Sequence, residues 1–205
     1  MKVKELVNLL NLQEVTPFKF CDYKDDGEFA KFVYISDVEY KDLIEVFDQR
    51  PDYINKYDML DEYIIDYMNL KGKSYTNDNI EIRFADVTVD ELFILMKNMS
   101  DRDRCKTIFK IVRNSCYPLN EDELKYAVAI FTILHELGHS IYFSKSNKNV
   151  LEYSLWESGY RRKFGNGVVG TYSEIPSEKW SDDYASEKLD ENLDKVREYL
   201  SILVK

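Results

Sequence analysis

Residues 135–139 read His-Glu-Leu-Gly-His, an H-E-x-x-H pattern that contains both histidines of this 205-residue chain. Residues four apart on a helix project from the same face, so His135 and His139 can bind one metal ion together. Glu136 lies beside them, where its carboxylate can take a proton from a metal-bound water. The alternative is a pair of buried core histidines held by hydrogen bonds. The pattern favours a metal-dependent site on a helix.

The helix that carries this pattern is predicted over 121–144. Asn120 offers an N-cap and Glu123 follows three residues later, which is a capping-box arrangement. From Tyr126 to Phe143 the residues are apolar nearly all round, as is typical of a buried helix. Burying two imidazoles and a carboxylate is unfavourable unless they are paired or bound to a metal. The expected burial therefore strengthens the metal-site interpretation.

A catalytic zinc site needs a third protein ligand and an open position for water. Because no other histidine exists, that ligand must be a carboxylate or a cysteine. We prefer Glu178, which lies 39 residues after His139 on the predicted last helix. Asp182, one turn further, can accept a hydrogen bond from the free ring nitrogen of a ligating histidine. The alternatives that stay open are Glu152, Glu157 and Glu174.

The N-terminal part, residues 1–75, is predicted to be mostly helical, and its role is unknown. It opens with a short amphipathic helix, and Phe29–Ile35 is predicted to form a strand. Two helices are then expected, over 37–49 and 51–70. The polar stretch Lys71–Asn79 is the predicted boundary, although the chain is expected to form one compact unit overall.

The C-terminal part, residues 76–205, is predicted to be the catalytic region. Before the motif helix, we expect a half-buried strand carrying Ile80, Ile82 and Phe84, a helix over Val89–Asn98, and a strand at Ile108–Val112. After it, we expect a helix over 150–163, a loop at 165–170, and a last helix that begins within 173–177 and ends near Leu203. The loop matches G-x-G-x-x-G, but no strand leads into it, which argues against a dinucleotide site.

Composition excludes several classes of protein. Hydrophobic residues make up 44% and charged residues 32%, as expected for a globular chain, and few glycines and prolines favour long helices. A net charge of −10 argues against a nucleic-acid binder, which needs a basic face. No apolar run is long enough for a membrane span. The three cysteines form no C-x-x-C pair, so we expect a reducing, cytoplasmic environment and buried structural roles for Cys105 and Cys116.

The two motifs together resemble the gluzincin arrangement, H-E-x-x-H followed by E-x-x-x-D. More narrowly, they are similar to the ImmA/IrrE-type metallopeptidases of phages and mobile elements. That family carries H-E-L-G-H and a later E-x-x-A-(N/D)-x-(F/Y)-A helix, which matches Glu178 to Ala185 except that Ser181 stands in place of alanine. The resemblance implies a compact, helix-rich α+β zincin-like fold, in which a small sheet packs on the motif helix.

The function expected from these residues is zinc-dependent hydrolysis of a peptide bond in a protein or peptide substrate. Zinc would be held by His135, His139 and Glu178, and Glu136 would act as the general base. The oxyanion-stabilising group is left open among Tyr142, Tyr160, Tyr172, Arg161 and Arg162. The alternative hypothesis is a non-enzymatic protein-binding or regulatory module on a zincin scaffold. A purely structural zinc site is disfavoured, because such sites usually have four ligands rich in cysteine.

Overall fold

The protein is described by a computed structural model over residues 1–21, 29–33, 81–99, 103–115, 119–148 and 174–203, with 153, 156–157, 159–160 and 163–164. The described part is a helix-rich α+β structure. Its helices are α1 (Val3–Leu9), α2 (Val89–Asn98), α3 (Asp103–Ser115), α4 (Glu121–Lys145) and α5 (Pro176–Leu203). Its strands are β1 (Phe18–Cys21), β2 (Ala30–Val33) and β3 (Glu81–Ala85), and a 3₁₀ turn lies at Leu12–Glu14.

The three described strands form one sheet in the order β1-β3-β2. Strand β3 pairs in parallel with β1 and antiparallel with β2. The sheet thus joins strands from before residue 75 to one from after it. The helices predicted over 37–49 and 51–70, the boundary at 71–79 and the loop at 165–170 lie outside the described residues.

Strand β3 was expected to be half-buried, and this expectation is wrong. The strand lies at the centre of the sheet, and both of its faces are covered: Ile82 and Phe84 are 0% exposed and Arg83 only 6%. The alternation of polar and apolar residues misled the prediction because Arg83 is buried beside Glu81, with which it forms an ion pair. A charged side chain that is paired can occupy a buried position.

The prediction of a strand at Ile108–Val112 is also wrong, because these residues lie within α3. The buried side chains of this helix are Cys105, Ile108 and Val112, which recur at the spacing of a helix. A five-residue apolar run cannot distinguish a strand from a buried helical segment. The burial of Cys105, at 2% exposure, agrees with its predicted structural role.

The helices nearest the motif follow the prediction closely. Helix α2 spans Val89–Asn98 as expected, and α4 begins after Asn120, whose side chain accepts a hydrogen bond of 2.9 Å from the backbone N–H of Glu123. The side chains from Ala127 to His135 are all buried. Helix α5 begins at Pro176, inside the predicted window. No helix in the described part of the chain is long and apolar enough to cross a membrane.

Helices α4 and α5 make the most extensive contact between any two described elements. They approach closely at Gly138, where an added Cβ would lie 2.9 Å from the backbone Cα of Ser181 and 3.1 Å from its Cβ. Backbone cannot give way as a flexible side chain can. A glycine at 138 therefore allows the two helices to cross at this distance.

We predict that Gly138→Ala lowers the free energy of unfolding by up to about 2 kcal/mol. The overpacking costs about 1–3 kcal/mol, and the better helix propensity of alanine offsets about 1 kcal/mol of it. Urea denaturation of the two proteins measures the difference. The matched control is Gly159→Ala, because nothing lies within 4 Å of a Cβ built there. An equal effect of both substitutions would contradict a close-contact role for Gly138.

Candidate metal site

Helix α4 places its two histidines side by side in the protein interior. His135 and His139 are 4% and 6% exposed, and their rings lie 4.6 Å apart between centroids at 90° to each other. The ring of Phe131 lies nearly parallel to that of His135, and the ring of Phe32 of β2 lies nearly parallel to that of His139. The two Nε2 atoms lie 2.9 Å apart, so both rings point to one place.

Helix α5 brings Glu178 to the same place. Its Oε2 atom lies 3.3 Å from Nε2 of His135 and 3.4 Å from Nε2 of His139, and the residue is 1% exposed. Glu178 lies on a different helix from the histidines. The close approach of the two helices at Gly138 brings its carboxylate to the imidazoles. The three residues predicted to be ligands are therefore brought together.

The separations among these three atoms suit a small divalent cation. Around a tetrahedral ion with ligands at about 2.0–2.1 Å, donor atoms lie about 3.3–3.4 Å apart. The two nitrogen–oxygen distances have this value, and the nitrogen–nitrogen distance of 2.9 Å is slightly shorter. Buried His135, His139 and Glu178 lie close enough together to hold a metal ion.

The alternative ligands behave differently. Glu174 is exposed, two residues before the start of α5. Glu157 is buried at 4% exposure, and its Oε1 atom accepts a hydrogen bond of 3.1 Å from the hydroxyl of Ser177, but it is not part of the three-residue cluster. Glu152 lies outside the described residues. The geometry favours Glu178 as the acidic member of the site.

The charges of the cluster depend on one another. Burial alone would lower the pKa of His139, but the adjacent Glu178 carboxylate outweighs it and the pKa of this imidazole is raised. Burial alone would raise the pKa of Glu178, yet the two imidazoles, His139 before His135, hold it well below its usual range. The carboxylate is therefore ionised at neutral pH, which is the form that binds a cation.

Asp182 contacts the outer nitrogen of His135, as predicted. Its Oδ1 atom lies 3.0 Å from Nδ1 of the imidazole. A histidine that binds through Nε2 must carry its proton on Nδ1, and Asp182 can accept that proton in a hydrogen bond. This contact fixes both the tautomer and the orientation of the ring.

Arg104 contacts the cluster, and the sequence analysis did not identify it. Its guanidinium binds both oxygens of Asp182, at 2.9 Å from Nη1 and 2.8 Å from Nη2. Nη2 also lies 2.7 Å from Nδ1 of His135. A protonated Nδ1 cannot accept from an arginine, so with Nε2 directed at a metal the arginine donates to Asp182 and not to His135. Burial would raise the pKa of Asp182, but the His135 and Arg104 contacts lower it.

Glu136 occupies a more open position than the three ligand candidates. It is half-buried, whereas His135, His139 and Glu178 are buried. It lies near enough to raise the pKa of His139 through its charge, although burial and Glu178 act more strongly. Glu136 is thus close enough to the cluster to act on it through its charge and is partly accessible to solvent.

The candidates for oxyanion stabilisation are only partly described. Tyr142 and Tyr160 are half-buried, and Tyr172, Arg161 and Arg162 lie outside the described residues. The ring of Tyr142 packs against Trp156 and Trp180, at 5.8 and 5.6 Å between centroids. Burial raises the pKa of Tyr142, and Tyr160 and Glu157 raise it further, so its hydroxyl keeps its proton and can donate.

Comparison of this chain with protein-family models, with curated proteins and with solved structures finds no significant match.

We predict that Glu178→Gln weakens metal binding by more than about 100-fold. Loss of a residue that merely supports a ligand costs 10–100-fold, and loss of a ligand costs more. Titration with Zn²⁺ against a chromophoric chelator measures the affinity. The matched control is Glu174→Gln, four residues away on an exposed position, which should bind within about twofold of wild type. If Glu174→Gln weakened zinc binding more than Glu178→Gln did, the ligand would be Glu174.

We predict that Arg104→Met weakens metal binding by about tenfold, because Asp182 loses the partner that aims it at His135. Arg104→Lys keeps the charge but not the two-pronged contact, and should recover only part of the loss. Arg113→Met, on the same helix but away from the cluster, should have no effect. The same chelator titration measures all three, and an unchanged affinity in Arg104→Met would refute a positioning role.

Proposed function

We propose that this chain is a zinc-dependent metallopeptidase of the gluzincin type, related to the ImmA/IrrE-like enzymes and built on a zincin-like fold. The observation that carries the proposal is the convergence of two imidazole nitrogens and one carboxylate oxygen in a buried place, with Glu136 beside them. Two nitrogens and one oxygen form the ligand set typical of catalytic rather than structural zinc, in which water takes the fourth position.

The chemistry divides between the ion and the chain. A bound zinc ion would polarise a substrate carbonyl and increase the acidity of a water molecule. Glu136 accepts the proton of the attacking water and then transfers it to the leaving amine. His135, His139 and Glu178 hold their donor atoms in place, and the contact from Arg104 through Asp182 keeps the ring of His135 aligned.

The sheet supports a peptide as the substrate. Strand β2 lies at the edge of the described sheet, and Phe32 on this strand packs its ring 6.4 Å from that of His139. An extended peptide can add to a sheet edge through main-chain hydrogen bonds, with alternate side chains entering pockets. A substrate bound along β2 would run beside the metal cluster. This placement favours hydrolysis of an extended chain over that of a small metabolite.

We predict that Glu136→Gln retains zinc and loses hydrolysis. Glutamine keeps the shape of the side chain but cannot accept the proton, and general-base catalysis contributes about 10²–10⁴-fold. Zinc content is measured by elemental analysis, and cleavage by mass spectrometry of a mixed peptide library incubated with each zinc-loaded protein. Glu121→Gln, an exposed glutamate on the same helix, is the matched control and should cleave like wild type.

Two results would contradict the proposal. If Glu136→Gln cleaves as fast as wild type, the general-base mechanism is wrong. If the wild-type protein binds zinc but cleaves no peptide in the library, the alternative of a non-enzymatic binding module is favoured.

A further inference from the structure

A groove of about 850 Å³ lies between α2, α3 and the start of α4. Its apolar floor includes Phe93 of α2 and Phe109 of α3, whose rings meet edge to face at 5.7 Å. The groove opens on the side of α3 that carries Lys106, two residues after Arg104. Because two residues turn a helix by about 200°, the groove and the metal cluster face different sides of α3.

Four exposed cations surround this groove: Lys97, Lys106, Lys110 and Arg113. None of the four makes an ion pair with any residue that the structure describes. The other described arginines, Arg83, Arg104 and Arg197, are each paired with a carboxylate. The basic groove is therefore a local exception in a chain whose net charge is −10.

The spacing of these cations works against the stability of α3. Lys106 and Lys110 are four residues apart and Arg113 follows three residues later, so like charges face one another along one side of the helix. Lysines whose only role is to be solvated have no reason to line one groove together. A cleft lined by one sign of charge over an apolar floor concentrates the electric field and attracts ligands of opposite charge.

We propose that this groove docks an acidic peptide segment of a partner protein, with carboxylates against the four cations and an apolar side chain on the Phe93–Phe109 floor. The cations of α3 span eight residues, or about 10 Å, which matches acidic residues on two turns of a helix. A compact phosphate would need donors that converge, and these are spread out and exposed. The α4 end of the groove carries Glu121, and Asp122 lines a neighbouring pocket, which disfavours a long polyanion such as a nucleic acid.

The inference does not depend on the metal site, so its test uses the full chain without regard to hydrolysis. Random twelve-residue peptides displayed on phage are selected against the immobilised protein, and an enriched peptide is then labelled for fluorescence polarisation. We expect enriched sequences to combine Asp or Glu with Leu, Ile or Phe. The affinity should fall as salt is raised from low to physiological concentration and beyond, because exposed charges are screened.

Charge-reversal variants locate the binding. Lys106→Glu/Lys110→Glu should weaken the labelled peptide at least about tenfold, and Lys106→Gln/Lys110→Gln should weaken it less. Lys4→Glu/Lys188→Glu makes the same change in net charge elsewhere and should have little effect. Circular dichroism establishes that each variant is folded.

Three outcomes would overturn the proposal. The first is selection of peptides without an excess of acidic residues. The second is equal binding by the groove variants and the control variant. The third is displacement of the peptide by single-stranded DNA or inorganic polyphosphate at equal charge concentration, which would indicate a general anion site.

Discussion

The crossing of α4 and α5 at Gly138 is the constraint on which the candidate site depends. His135 and His139 lie on one of these helices and Glu178 on the other, so the helices must approach closely for the three donor atoms to meet. Gly138 lies between the two histidines in the sequence and packs against the backbone of Ser181. Because the residues at the crossing are small, the longer side chains of His135, His139 and Glu178 can reach one another.

Such a convergence would be unstable if its charges were left unbalanced. Glu178 is almost fully buried, and a buried carboxylate requires a partner of opposite charge. In this structure the imidazoles perform that role, which explains why the pKa of Glu178 is lowered and that of His139 raised although burial acts in the opposite direction on each. A divalent cation would supply the same positive charge without requiring the histidines to be protonated, and it suits neutral pH better.

Elements with a long apolar pattern or a cap were predicted correctly from the sequence. An element marked only by a short apolar run was not. Helix α4 was anticipated because a capping arrangement and a long apolar run mark it, and helices α2 and α5 were also expected. The segment Ile108–Val112 was misassigned since five residues carry no reliable period. Glu178 and Asp182 were found because they lie one turn apart in a motif. Arg104 was not, because it contacts Asp182 across 78 positions of sequence and belongs to no motif.

Ser181 shows how a departure from a family pattern can be interpreted physically. The metallopeptidase pattern that the two motifs resemble has alanine where this chain has serine, and the crossing at Gly138 explains why only a small residue fits. The hydroxyl of Ser181 is fully buried, and no hydrogen-bond partner for it exists among the described residues. A buried hydroxyl without a partner is unfavourable by about 1–3 kcal/mol, so alanine would be expected here on stability alone. The serine is tolerated because the crossing depends on the size of this side chain, and serine exceeds alanine by only one oxygen atom.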